Sequence, residues 1–204
     1  MKKGLRKPIT GLLFASVMML FAGFLSNCDN SDNGDEGPAS LTGKYTFKKA
    51  VLTSEVVVND QAAGSSATIT LPVGTDVTDM VIGGLLGAVS CGSTSNAAID
   101  MRANKELWAF CNGENVDPVR GGTWSENATR TVLVLNLAPP LVISAVNLQL
   151  TNIAVAGNNL SGNLASMPMS GALMETHLDD SLIPEGFIFP VIILMDVKID
   201  FTKI

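Results

Sequence analysis

The residues best suited to covalent or acid–base chemistry are three cysteines, Cys28, Cys91 and Cys111, and a single histidine, His177. His177 is followed by Asp179 and Asp180, the one place where histidine and carboxylates fall together. A general base needs a nucleophile or substrate proton within hydrogen-bond reach. No Gly-x-Ser-x-Gly elbow, zinc-type histidine pair or phosphate loop accompanies it. The group reads as a solvated loop, so no catalytic residue is assigned and an enzyme is not expected. With one histidine far from Cys91 and Cys111, no metal site is expected, and no cofactor.

Cys28 sits at a seam. Lys2, Lys3, Arg6 and Lys7 form a cationic start, and the run GLLFASVMMLFAGFL from Gly11 to Leu25 carries no charge. Its length lies at the upper limit of a signal-peptide core and short of a membrane span. Leu25-Ser26-Asn27-Cys28 resembles a bacterial lipobox, with Asn27 where Gly or Ala is usual. That resemblance implies cleavage before Cys28, diacylglycerol on its thiol and acylation of the new amino group. An uncleaved N-terminal anchor is the alternative, and either outcome puts the rest of the chain outside the inner membrane. Two or three acyl chains hold a protein stably where one does not.

Residues 29–40, DNSDNGDEGPAS, are too polar to fold. They form a tether of roughly 20 Å. The acids directly after Cys28 resemble surface-export signals of Bacteroidetes lipoproteins, whereas in enterobacteria Asp29 would imply retention at the inner membrane. The expected location is the cell envelope, lipid-anchored at the outer membrane, on its periplasmic or surface face.

Loss of residues 1–27 leaves 9 of the 13 basic residues against all 19 acids. Nucleic-acid binding needs a basic footprint, so no nucleic-acid partner is expected. In an oxidising compartment, parity favours a disulfide between Cys91 and Cys111 over two buried thiols. Such a loop adds about 3 kcal/mol in the chain-entropy treatment. The sequons at Asn127 and Asn159 are chance matches in a bacterial lipoprotein.

Residues 41–204 suffice for one domain with a sizeable core, and strand signals dominate them. An extended stretch runs from Tyr45 to Val58, then ATITL at 67–71, with NDQAAGSS as a turn between. TDVTDMVIGGLLGAVSCG predicts a short helix capped by Thr75 or Thr78, with Val81, Leu85 and Ala88 on one face. NAAIDMR and ELWAFC flank a hairpin turn at Ala103-Asn-Lys105. GGTWS and TRTVLVLNL flank another at Glu126-Asn-Ala. VLVLNL is apolar in both phases, as in a strand covered on each side.

The phase of VISAVNLQLTNIAVAG slips at Asn152-Ile153, predicting a bulge. Residues 166–190 read as irregular. In the last strand Met195, Val197, Ile199 and Phe201 alternate with Asp196, Lys198 and Asp200. The expectation is an all-β domain of about eight to ten antiparallel strands with one short helix. Alternation alone leaves barrel and β-sandwich both open.

LTGKYTF at 41–47, just after a tether, resembles the Leu-x-Gly-x-Trp opening of lipocalin-like domains, with Tyr45 in the Trp position. GGTWS with Trp124, the cysteine closing the preceding strand and NNLSG in a late hairpin are similar to small bacterial lipocalin-like lipoproteins. These motifs span about two-thirds of the domain. The resemblance implies an up-and-down antiparallel barrel whose interior holds one small apolar ligand, or is filled by side chains. It departs from the family in lacking a late Arg over the first-motif aromatic, and in the early place of its helix.

Trp108, Phe110 and Trp124 are the candidate ligand-lining residues, against a plain role in core packing. Met167, Met169 and Met174 could form an adaptable apolar lip, against gap-filling beneath a loop. Polysaccharide binding is a rival; binding by stacking platforms needs exposed aromatics, and only eight Phe, Trp and Tyr residues fall in the domain. The function expected is a membrane-anchored binding protein for a small hydrophobic molecule or lipid, the alternative a structural or adhesive surface lipoprotein acting through its loops.

Overall fold

A computed structural model describes residues 40–204. The expected signal peptide (1–27), Cys28 and the expected tether lie outside the described residues, apart from Ser40. Eight strands close an antiparallel barrel, as the lipocalin-like resemblance implies. In chain order the elements are β1 (Gly43–Leu52), β2 (Val56–Asn59), β3 (Thr68–Leu71), α1 (Thr78–Leu86), β4 (Ala97–Met101), β5 (Glu106–Cys111) and β6 (Val119–Glu126). Then follow β7 (Val132–Leu137), β8 (Val146–Ala156), β9 (Asn159–Ser170), α2 (Gly171–His177) and β10 (Ile192–Lys203). The barrel order is β1-β10-β9-β8-β7-β6-β5-β4, while β2 and β3 form a separate hairpin. Neighbours in the barrel from β4 to β10 are consecutive in sequence, as short turns dictate, and β1 closes the ring between β10 and β4.

Period-two alternation decides what faces inward. On β10, Met195, Val197, Ile199 and Phe201 are buried, and the Phe47 and Phe201 rings meet at 4.7 Å. The slip expected in β8 is there: Asn152 has φ 52° and the β8–β9 register shifts between Thr151 and Ala154. On β7, Leu133, Leu135 and Leu137 point inward while Val132 and Val134 are half-buried and Asn136 is exposed, so its outer phase is only partly covered.

Three expectations need correction. The stretch from Tyr45 to Val58 is not one strand. Thr53 donates its N–H to the Asp196 carbonyl at 2.8 Å, and the chain then leaves the barrel to form β2, which pairs only with β3. Residues 166–190 are not irregular throughout. β9 continues to Ser170 across Pro168, and a second helix, α2, follows with the Ser170 hydroxyl accepting from the Leu173 N–H.

Neither Thr75 nor Thr78 caps α1. The Asp76 carboxylate accepts from the Thr78 N–H (3.0 Å) and hydroxyl (2.6 Å), while Thr78 Oγ1 accepts from Ala50 N–H. Val81 and Leu85 are buried with Met80, Ile82 and Leu86, but Ala88 is exposed and Val89 takes the inward place.

The two ends of the barrel therefore differ. The base, where β1 starts, carries the tight turns at 102–105, 127–131 and 157–158. The mouth, opposite, carries α1, α2, the β2–β3 hairpin and the 138–145 connection. Among the described residues no helix is long and apolar enough to cross a membrane.

Candidate functional site

The three aromatic candidates do not share a cavity. β5 alternates with Leu107, Ala109 and Cys111 inward, which turns Trp108 and Phe110 to the outer face, half-buried. There Arg102 lies 4.2 Å from the Trp108 ring centroid and Lys44 Nζ 5.2 Å from that of Phe110. Trp108 Nε1 donates to Glu106 Oε2 at 3.2 Å. This hydrogen bond is the main reason the Glu106 carboxyl sits below its ordinary range.

Trp124 is the one of the three inside the barrel. Its Nε1 donates to the Arg102 carbonyl at 3.0 Å, its backbone N–H to the Lys105 carbonyl, and Lys105 Nζ lies 3.7 Å from its ring centroid. The ring closes the base. Glu126 beside it meets Lys105 Nζ at 3.3 Å and Arg130 Nε at 3.5 Å. Tyr45 is buried there too. Burial first, and then the Glu126 charge, raise the pKa of its phenol. Lys203 Nζ, on the last strand, stands 5.8 Å from the Tyr45 ring centroid.

Between base and mouth the lumen is full. Leu133, Leu150, Leu160, Met167, Met195, Val197, Ile199 and Phe201 are each at most 1% exposed, which leaves no room for a water against them. Met167, Met169 and Met174 are all part of the buried cluster, and Met169 and Met167 also line the hollows at the mouth.

The mouth is different. A trough of about 460 Å³ with mostly apolar side chains lies between α1, α2, the 138–145 connection and β9, lined by Gly83, Gly84, Leu141, Val142, Met169 and Leu173 among others. A second hollow of about 330 Å³ shares Gly84, Val142, Ile143 and Pro168 with it. No ionisable side chain lines either hollow; Ser144 and Ser170 are the polar residues. Ile143 overhangs both and is fully exposed.

Gly83 and Gly84 let α1 approach so closely, since a Cβ at either would press on Leu173 or Met169 at 3.3 Å. Sequence reasoning assigned no role to the Gly83-Gly84 pair inside its expected helix. The signal it lacked was the partner surface, formed by β9 and α2, which it left irregular.

Cys91 and Cys111 form the disulfide, with Cα atoms 5.4 Å apart. It ties the segment leaving α1 to the end of β5. The Glu114 carboxylate reinforces the tie by accepting from Gly92 N–H at 2.9 Å and Asn96 Nδ2 at 2.6 Å, contacts that lower its pKa. His177 Nδ1 lies 2.9 Å from the Leu173 carbonyl and 3.0 Å from Thr176 Oγ1, while Asp179 caps the turn at Ser181. Among the described residues no group of three or more His, Cys, Asp or Glu is placed to hold a metal.

Compared with protein-family models the chain matches none, and compared with curated proteins it likewise finds no match.

Proposed function

We propose that this chain is a lipid-anchored lipoprotein of the bacterial cell envelope whose lipocalin-like barrel binds or carries a small apolar molecule or lipid at its mouth. The observation that carries the reading is the uncharged trough. Its volume falls within the usual range of ligand sites, and such sites are mostly apolar with few polar groups. With the lumen filled, the space between α1 and the 138–145 connection is the place this reading gives to a ligand. The closed eight-stranded barrel supports the lipocalin likeness. Cys28, at the seam of apolar run and polar tether, supports the anchor.

The test is titration of the neutral fluorophore N-phenyl-1-naphthylamine into the unacylated chain. Ile143→Asp puts a charge on the lip of the trough without touching the core, and is expected to weaken binding about tenfold or more. Equal binding by the variant would place the ligand elsewhere.

A second reading, a structural or adhesive surface lipoprotein, is favoured by one observation. Val57, Ile188, Val191, Ile192 and Leu194 are all at least half exposed, and they line or flank neighbouring hollows beside the β2–β3 hairpin. Exposed aliphatic clusters of this kind mark interaction surfaces.

A further inference from the structure

The outer face of β5–β8 carries a feature that apolar cargo does not use. Four side chains stand side by side across the strands in register: Glu106 opposite Thr123, Thr123 opposite Asn136, Asn136 opposite Asn147. Asn147 Nδ2 donates to Asn136 Oδ1 at 2.6 Å, and Asn136 Nδ2 to Thr123 Oγ1 at 3.4 Å. Arg120, opposite Trp108, holds its Nε 3.2 Å from Glu106 Oε1. Trp108 grips the other oxygen of the same carboxylate. The row is thus fixed in place, yet Arg120, Thr123, Asn136 and Asn147 are all exposed.

A groove of about 560 Å³ opens along this row, with Arg120, Thr123 and Asn136 on one side and Ala138, Pro139, Pro140 and Ala145 on the other. Its floor is Gly122, at φ +134°, where any Cβ would collide with the Asn136 carbonyl. The groove is amphipathic: a strip of donors and acceptors faces a rigid apolar wall.

We propose that this groove is a binding site for a neutral saccharide. A sugar ring has an apolar C–H face and a rim of hydroxyls, each both donor and acceptor. The proline and alanine wall matches the face, and the amide, hydroxyl and guanidinium row matches the rim. Arg120 is the charged residue that lines the groove, and the Glu106 carboxylate beside it, outside the lining, balances its charge. This favours hydroxyl groups over phosphate or carboxylate. No aromatic ring lines it either, which disfavours a nucleobase and means that a sugar is held by its hydroxyl rim and against the proline and alanine wall, not by stacking on a ring.

The test is an NMR titration of the unacylated chain with glucose, mannose, galactose and N-acetylglucosamine oligosaccharides of two to four units. A uronic-acid oligosaccharide and a nucleotide run alongside. At least one neutral oligosaccharide is expected to saturate at millimolar concentration or below, shifting the amide signals of Thr123 and Asn136. Thr123→Val with Asn136→Ala should weaken that binding about tenfold or more. Gln149→Ala, on the same face but outside the groove, should leave it unchanged. The double variant's circular dichroism, matching the parent, shows that it folds. Saturation by no neutral sugar, preference for the uronate or nucleotide, or equal binding by the double variant would each overturn the proposal.

Discussion

Trp124 places its ring inside the base of the barrel and its one donor on the Arg102 carbonyl, with Lys105 lying against the ring. Replacing it removes both the filling of the base and a buried hydrogen bond. Trp124→Ala is expected to cost about 3–5 kcal/mol, and Trp124→Phe about 1 kcal/mol, measured by urea denaturation. Trp108→Ala, on the outer face, should cost less than Trp124→Ala. Similar costs for Trp108 and Trp124 would contradict their placement.

The residue types were legible in the sequence, but the side each faced was less so. A strand's period of two ties Trp108 and Phe110 to the phase opposite Cys111. A cysteine in a disulfide near the core therefore already implied that the two aromatics face out. Size alone had suggested the reverse, and the lumen, already full of Leu, Met, Val, Ile and Phe, had no place for them.

The disulfide belongs to the scale of elements, because it fixes the exit of α1 to β5 and so holds one wall of the trough. Cys91→Ala with Cys111→Ala should lower stability by about 3 kcal/mol and weaken N-phenyl-1-naphthylamine binding. Unchanged binding would show that the trough does not depend on this tie. Strands with clean alternation, such as β10, and hairpins with glycine or asparagine turns were readable from the sequence. β9 beyond Met167 and α2 were not. Pro168 is a strand breaker by composition, yet it sits in register opposite Leu194, next to a bulge where Ser166 takes φ 54° and donates its N–H to Asp196. Tertiary pairing overrode local preference there, and the trough was missed with it.

Across the whole molecule, stability should hold between about pH 5 and pH 10. Asp60, Asp76, Glu106, Glu114 and Asp179 all have lowered pKa values, each chiefly through hydrogen bonds to the carboxylate. Their contribution is present above the ordinary carboxylate range and is lost as pH falls through their folded values. Tyr45 has a raised pKa, so its contribution is present below about pH 10 and is lost as pH rises further. Thermal melts from pH 2 to 11 check both limbs, and a melting temperature flat through pH 3 would contradict the acid limb.

The anchor is tested by labelling cells with radioactive palmitate. Label should appear on the chain and vanish in Cys28→Ala; label persisting in that variant would move the anchor.

The claim on which the account turns is that an apolar molecule occupies the mouth. Native mass spectrometry of residues 28–204 carrying Cys28→Ser, purified without detergent from the native host, tests it most directly. The account predicts a near-stoichiometric apolar adduct that Ile143→Asp removes. A bare mass, even after challenge with the host's total lipid extract, would contradict it.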